Sequence, residues 1–323
     1  MTTVPAGVRS DLLRAAHSVR TMDGRVRLDE IDVGALADGG ALRRRLAGAL
    51  YTRWFTGSSG WRAEPALPDP ALLARLRAAH ASSGRFERGW VAGIRAPGLI
   101  VATRGLEELP LRRLDHVNLT RPAGPVRAGD ELGLSLRREV VDGAGGWWLT
   151  YGAAGTALDD RLVRVYWNGG PGIVALLIRR LTTSLDAAGE RYTIKCPVAP
   201  ALFERADPIV TYLDSGAWSR MKTALRAVHG SLEDDLRPPV PPLTRRLGRG
   251  VAVAEDPGDG QSFGQSRAAA VAEGLISVLS NGHVDDDAVI EALGASLEAH
   301  GISPTRPYLG VSSAATTAGA WAW

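Results

Sequence analysis

Only two of the 38 Lys and Arg residues in this chain are lysines, and one of them, Lys195, lies in the strand-like segment Glu190–Pro197. A lysine in so arginine-rich a chain invites a chemical reading, because an ammonium can shed its proton and act as a base whereas a guanidinium stays charged. Period-two alternation places Arg191, Thr193 and Lys195 on one polar face and Tyr192, Ile194 and Cys196 on an apolar one. Strand rise sets Arg191 and Lys195 about 13 Å apart at Cα, close enough for two long side chains to converge on one small anion. A cationic neighbour lowers the lysine pKa, the direction a general base needs. The same alternation also describes a solvated strand face.

A second group lies in Gly250–Arg267, which reads as strand, Gly-rich loop and helix. Ser262 and Gln265 have capping-box spacing, free N–H groups at a helix start attract anions, and Arg267 one turn in adds a charge-assisted donor. An ordinary capped helix has the same signature. No Walker A pattern is present, and Gly258, Gly260 and Gly264 miss the dinucleotide spacing by one residue. Asp256 and Asp259 read as turn residues, since no further ligand falls at metal-binding spacing. Asp285–Asp287 reads as a helix cap, Cys196 as a small buried hydrophobe, and His116 and His229 as conceivable proton donors without a local partner.

The elements around these residues fall into two styles. The first part reads as helices over Val8–Val19, Gly40–Phe55 and Pro70–Ala81, the last with Asp69 as N-cap ahead of Pro70, giving a helical lobe over 1–85. From Gly89 the pattern changes to short apolar runs, with strands expected at Trp90–Ile94, Leu114–Leu119, Glu131–Val140, Trp147–Ala153 and Leu162–Trp167, and a hairpin turn at Asp142–Gly146. Asn168–Gly172 breaks the chain before a helix over Ile173–Leu185. The Lys195 strand, a strand at Ile209–Leu213, a helix over Ala217–Val228, a stiff connector at Arg237–Pro242, a strand at Val251–Ala254 and helices over Phe263–Leu279 and Asp286–His300 follow. The expected class is mixed α+β: the helical lobe, then a domain over 86–310 with a largely antiparallel sheet and packed helices, then a loose tail over 311–323.

With 323 residues, 45% hydrophobic and 23% charged, the chain can bury a core without staples. Its longest apolar run, Ile173–Ile178, is too short to cross a bilayer, the N-terminus lacks an apolar leader, and Cys196 is the lone cysteine, so a cytoplasmic protein with no membrane span is expected. A net charge of +3 with scattered arginines argues against nucleic acid and leaves small acidic ligands open.

Three blocks carry a family resemblance: Arg164–Asn168 with the Gly-rich helix start after it; Arg191–Lys195 with Arg205–Leu213; and Pro242–Thr244 with Gly250–Pro257, Ser262–Arg267 and Ala272–Leu275. They resemble the HopA-type effector family, which includes lyase components of class V lanthipeptide and thioamitide pathways. Weaker similarity touches Leu50–Trp54 and Gly89–Trp90, and Arg246 stands where a lysine is usual. The resemblance implies β-elimination of phosphate from phosphothreonine or phosphoserine in a leader-bearing precursor peptide, without metal or organic cofactor. Lys195 would be the base, Tyr212 or a backbone N–H would stabilise the enolate-like oxygen, and Arg191, Arg205, Arg246, Ser262, Gln265 and Arg267 would hold phosphate or substrate. A separate kinase-like phosphotransferase, in complex, would supply the phosphate, since no ATP motif is present. The competing class is a non-catalytic effector-like subunit that binds leader peptide or kinase. A cyclase adding cysteine thiols to dehydrated residues is a third reading, for which no activating site stands out.

Overall fold

The structure is a computed structural model that describes residues 4–58, 67–81, 85–96, 99–105, 107–111, 116–136, 138–142, 146–157, 161–258, 260–281, 285–310 and 323. Residues 143–145 of the expected hairpin turn at Asp142–Gly146, the start of the Leu114–Leu119 strand, Asp259 and nearly all of the 311–323 tail lie outside these residues.

The N-terminal part holds α1 (Ala6–His17), β1 (Val19–Met22), β2 (Arg25–Leu28), β3 (Ile31–Ala35), α2 (Gly40–Leu50) and α3 (Pro70–Ala79). The helices fall where expected, and Asp69 caps α3 by accepting from the N–H groups of Ala71 and Leu72 at 2.8 and 3.1 Å. The all-helical reading of this part is corrected by β1–β3, which form an antiparallel three-stranded sheet. These strands are only four or five residues long, and arginines interrupt β1 and β2, so they offer little apolar run. Their legible signal was Asp23-Gly24 between alternating segments, a two-residue hairpin turn.

The strands after residue 85 divide into two antiparallel sheets. The five-stranded one has the order β6-β5-β4-β8-β7, from β4 (Arg85–Ala96), β5 (Leu99–Arg104), β6 (Glu107–Pro110), β7 (His116–Asn118) and β8 (Glu131–Leu136). It closes over its own small core of Trp90, Ala92, Ala102, Leu132 and Leu134.

The seven-stranded sheet positions the site. Its members are β9 (Glu139–Asp142), β10 (Trp147–Tyr151), β11 (Leu162–Trp167), β12 (Tyr192–Pro197), β13 (Ile209–Asp214), β14 (Arg245–Gly248) and β15 (Val251–Glu255), in the order β14-β15-β11-β13-β12-β10-β9. The helices are α4 (Val174–Ala187), α5 (Ser215–Gly230), α6 (Phe263–Asn281) and α7 (Asp286–Ala299). The crossover β11-α4-β12 leaves a gap that β13 fills, antiparallel to both neighbours. Alternation then gives the sheet two unlike faces. On one, Val163, Val165, Trp167, Ile194, Cys196 and Leu213 are fully buried, and Tyr192 reaches α4 by donating to Asp186 at 3.0 Å. On the other lie Trp147, Leu149, Thr193, Lys195, Tyr212, Arg164 and Tyr166, in register across four strands. Phe263 at the start of α6 meets this second face at Tyr166, with ring centroids 6.4 Å apart.

Candidate functional site

Lys195 sits in the middle of β12 with Leu149 and Val210 beside it, so its side chain rises from a sheet and is fixed by the ladder on both sides. It lines a cavity of ≈ 370 Å³ together with Asp142, Trp147, Leu149, Ala157, Leu162, Thr193 and Tyr212. Its Nζ lies 4.0 Å from the centre of the Trp147 indole, and among the described residues it makes no ion pair or hydrogen bond. Burial pushes its pKa down from the ordinary 10.5 to about 8; Asp207 and Asp142 resist this while Arg205 and Arg164 reinforce it. A buried amine with a pKa near 8 keeps a minor neutral fraction at neutral pH that grows steeply as pH rises towards 8, and that fraction is the base.

Arg205 comes to the site from a 3₁₀ turn, Pro200–Glu204, that leads into β13. Its guanidinium donates to both oxygens of Asp207 at 2.8 and 3.0 Å and to the Tyr51 hydroxyl at 3.1 Å. Burial opposes the charge, but Asp207 and Tyr51 hold the guanidinium more firmly protonated than usual. It also lies over the Trp147 ring at 5.4 Å. Sharing one indole as cation–π partners puts Arg205 and Lys195 no more than about 9 Å apart. Of the five N–H donors of a guanidinium, Asp207 and Tyr51 take three, and the two on Nη1 have no partner among the described residues.

Arg164 on β11 donates to Asp256 from Nε at 2.8 Å and lies over the Tyr212 ring at 5.3 Å. Tyr212 is directly opposite Thr193 and Arg164 in the ladders, and burial raises the pKa of its phenol, with Arg164 opposing. It therefore stays protonated and available as a hydrogen-bond donor beside Lys195.

The other residues singled out from the sequence do not converge here. Arg191 precedes β12 and is exposed, and the arginines whose field reaches Lys195 are Arg205 and Arg164. Arg246 shares the register row of Lys195, but on β14, four strands away or roughly 19 Å, where its Nη1 donates to the Pro238 carbonyl at 2.9 Å. Ser262 and Gln265 close a reciprocal capping box at 3.2 and 3.0 Å, which is the structural reading of their spacing. Arg267 is corrected as an anion ligand: it is 1% exposed, its Nε and Nη2 donate to the Pro307 and Leu309 carbonyls at 2.9 and 2.8 Å, and it stacks on Phe263 at 4.4 Å. A guanidinium so enclosed stitches the segment after α7 onto α6. His229 is buried with its Nε2 on the Arg249 carbonyl at 3.0 Å, away from the Lys195 face.

Sequence reading missed Trp147, Asp207, Arg164 and Tyr51 as site residues. Alternation places Arg164 and Tyr166 on one face and was available as a signal. Asp207 stands two residues beyond Arg205, the spacing of a local ion pair. Tyr51 lay within the weaker resemblance at Leu50–Trp54, but neither alternation nor spacing pointed to it, because its placement depends on a π-helical turn, Tyr51–Phe55, that continues α2.

Residues 144–309, which span β10 to the segment after α7, match the HopA1 effector protein family. The chain belongs to this family. Two solved structures share the fold: the effector protein from Pseudomonas syringae pv. tomato strain DC3000, with a TM-score of 0.51 and 16% identity over 94% of this chain and 96% of that one, and the effector protein from Pseudomonas syringae pv. syringae strain 61, with a TM-score of 0.50 and 16% identity over 95% and 99%. No curated protein matches the chain. The matched HopA1 region contains Lys195, Arg164, Arg205, Asp207, Tyr212 and Trp147, whereas Tyr51 lies outside it. Among the described residues no helix is long and apolar enough to cross a membrane, and no cluster of three metal-ligating side chains occurs.

Proposed function

We propose that this HopA1-family chain is a phosphothreonine/phosphoserine lyase that eliminates phosphate from a phosphorylated, leader-bearing precursor peptide, leaving dehydrobutyrine or dehydroalanine, as in lanthipeptide-type biosynthesis. The observation that carries this reading is the buried Lys195 amine, with a pKa of about 8 and no direct ion pair among the described residues, on the same indole as Arg205. Neutral Lys195 takes the Cα proton, the electron pair forms the Cα=Cβ bond, and the Cβ–O bond breaks with its electrons passing to phosphate. The α-proton is weakly acidic, so the carbonyl oxygen of the same residue gathers charge, and the protonated Tyr212 phenol beside Lys195 is a donor suited to it. The Nη1 donors of Arg205 hold the phosphate, with the Arg164 charge behind Tyr212 adding to the field. The chain has no nucleotide-binding pattern, so the phosphate is supplied by a separate kinase-like phosphotransferase.

The test is direct. Purified protein is incubated with phosphothreonine and phosphoserine forms of a precursor peptide, alone and with the kinase, and the peptide mass and released phosphate are followed. Loss of phosphoric acid supports the lyase. Tight binding of the phosphopeptide with no change in mass under either condition overturns it in favour of a non-catalytic phosphopeptide-holding subunit, a reading consistent with Arg164 and Arg205 each being neutralised by an aspartate.

A further inference from the structure

Elimination needs a proton at the departing oxygen as well as a base at Cα. A phosphate ester dianion that leaves unaided departs as a trianion, a poor leaving group, and among the described residues no histidine lines the Lys195 cavity. The N-terminal lobe supplies a different group. α2 does not end in an ordinary turn but widens into the π-helical turn Tyr51–Phe55, a feature frequent at functional sites. That turn stacks Tyr51 on Phe55 at 5.8 Å and 14°. Phe55 is in turn fixed against α6, where it lies 6.0 Å from Phe263 and so close to Gly264 that a Cβ there would sit 2.4 Å from its ring. The Thr56 carbonyl accepts from the Ala206 N–H at 2.7 Å and ties the turn to the segment that carries Arg205 and Asp207.

We infer that Tyr51 is a catalytic residue of the elimination, the proton donor to the ester oxygen of the departing phosphate. This rests on the lyase reading above. The phenolic oxygen accepts a hydrogen bond from Arg205 Nη2 at 3.1 Å, so its own proton points elsewhere, and among the described residues that proton has no acceptor. The same Arg205 presents its free Nη1 donors, so a phosphate seated on that nitrogen lies next to the Tyr51 hydroxyl. The charged and titratable groups facing Tyr51 across the site are Arg205, Asp207 and Tyr212, with Lys195 beyond Trp147. In the step, Lys195 gains the Cα proton and becomes an ammonium. The Cβ–O electrons pass to the phosphate, which takes the Tyr51 proton and leaves as hydrogen phosphate. The phenolate left behind is held by Arg205, and proton exchange through water restores both residues. The assignment divides the chemistry between two parts of the chain: the HopA1-matched region brings the base and the phosphate-binding arginine, and the lobe before it brings the acid.

The experiment compares wild type and Tyr51→Phe on a phosphothreonine peptide, with kcat and KM determined separately. Phenylalanine keeps the ring that packs on Phe55 and beneath Arg205, so the melting temperature reports whether the turn is intact. The expected result is a fall in kcat of about a hundredfold or more for Tyr51→Phe with little change in KM, the scale of a lost general acid. Two results overturn the assignment while leaving the lyase standing: a Tyr51→Phe kcat within threefold of wild type, or a change confined to KM, which would make Tyr51 a positioning residue for Arg205. No phosphate release by wild type removes the lyase reading itself, and the assignment with it.

Discussion

Arg205 and Arg267 belong to two stretches with the same apparent promise, an arginine near a turn, the side chain shaped to grip phosphate or carboxylate. The fold uses them in opposite ways. Arg267 is enclosed on α6, and its Nε and Nη2 donors end on the main-chain carbonyls of Pro307 and Leu309. Arg205 is held by Asp207 and Tyr51 at the rim of a sheet face, over Trp147 and with Nη1 open. The Ser262 and Gln265 pair beside Arg267 is satisfied within its own helix start. Local motifs here close local structure, whereas the candidate site is assembled by cross-strand register, from residues far apart in the chain.

This contrast fixes what substitutions do. The largest effect is expected for Arg205→Gln, which strips Asp207 of its counter-charge in a site where the carboxylate is 7% exposed. Leaving a buried charge unpaired costs about 3–5 kcal/mol, so chemical denaturation should show a loss of that size, accompanied by loss of phosphate elimination in the fraction still folded. Next comes Arg267→Met, which leaves two enclosed carbonyls without their charged donor. Stability should fall by about 3 kcal/mol while kcat per folded molecule is unchanged, and a fall in kcat would break the distinction between the two arginines. The smallest is Ser262→Ala, which removes half of a capping box and should cost about 1 kcal/mol by thermal melting, with no effect on turnover at saturating peptide.

Much of the scaffold could be read from the chain. Phe263–Leu279 and Asp286–His300 fall on α6 and α7 because long periodic runs with their own caps determine helices locally, and Asp285 indeed accepts from the Ala288 N–H at 2.8 Å. Alternation also found the strand and polar face of Lys195. It then failed at Arg191, because β12 begins at Tyr192 and a residue outside the ladder is not held on either face. Register was not legible: nothing local tells that β13 inserts between β11 and β12, and it is this insertion that brings Tyr212 between Thr193 and Arg164. Tyr51 was out of reach for the same reason, since a π-helical turn and its contact with Arg205 arise only when the lobe docks on the sheet.

The central claim is that Lys195 is the base, and the pH dependence of phosphate release tests it most directly, with stability read in parallel. Below about 8 the folded and unfolded chains both carry the proton and the fold bears the penalty of a buried charge; between about 8 and 10.5 the unfolded chain still holds a proton the folded one has shed, so stability from this group rises with pH. Lys195→Met removes that penalty, so the variant should gain stability relative to wild type at pH 7 and lose the advantage towards pH 10.5. In wild type kcat/KM should rise tenfold per pH unit below about 8 and then level, and Lys195→Met should release no phosphate at any pH while remaining folded. Phosphate release by folded Lys195→Met, or a wild-type profile with no inflection near pH 8, would contradict the account.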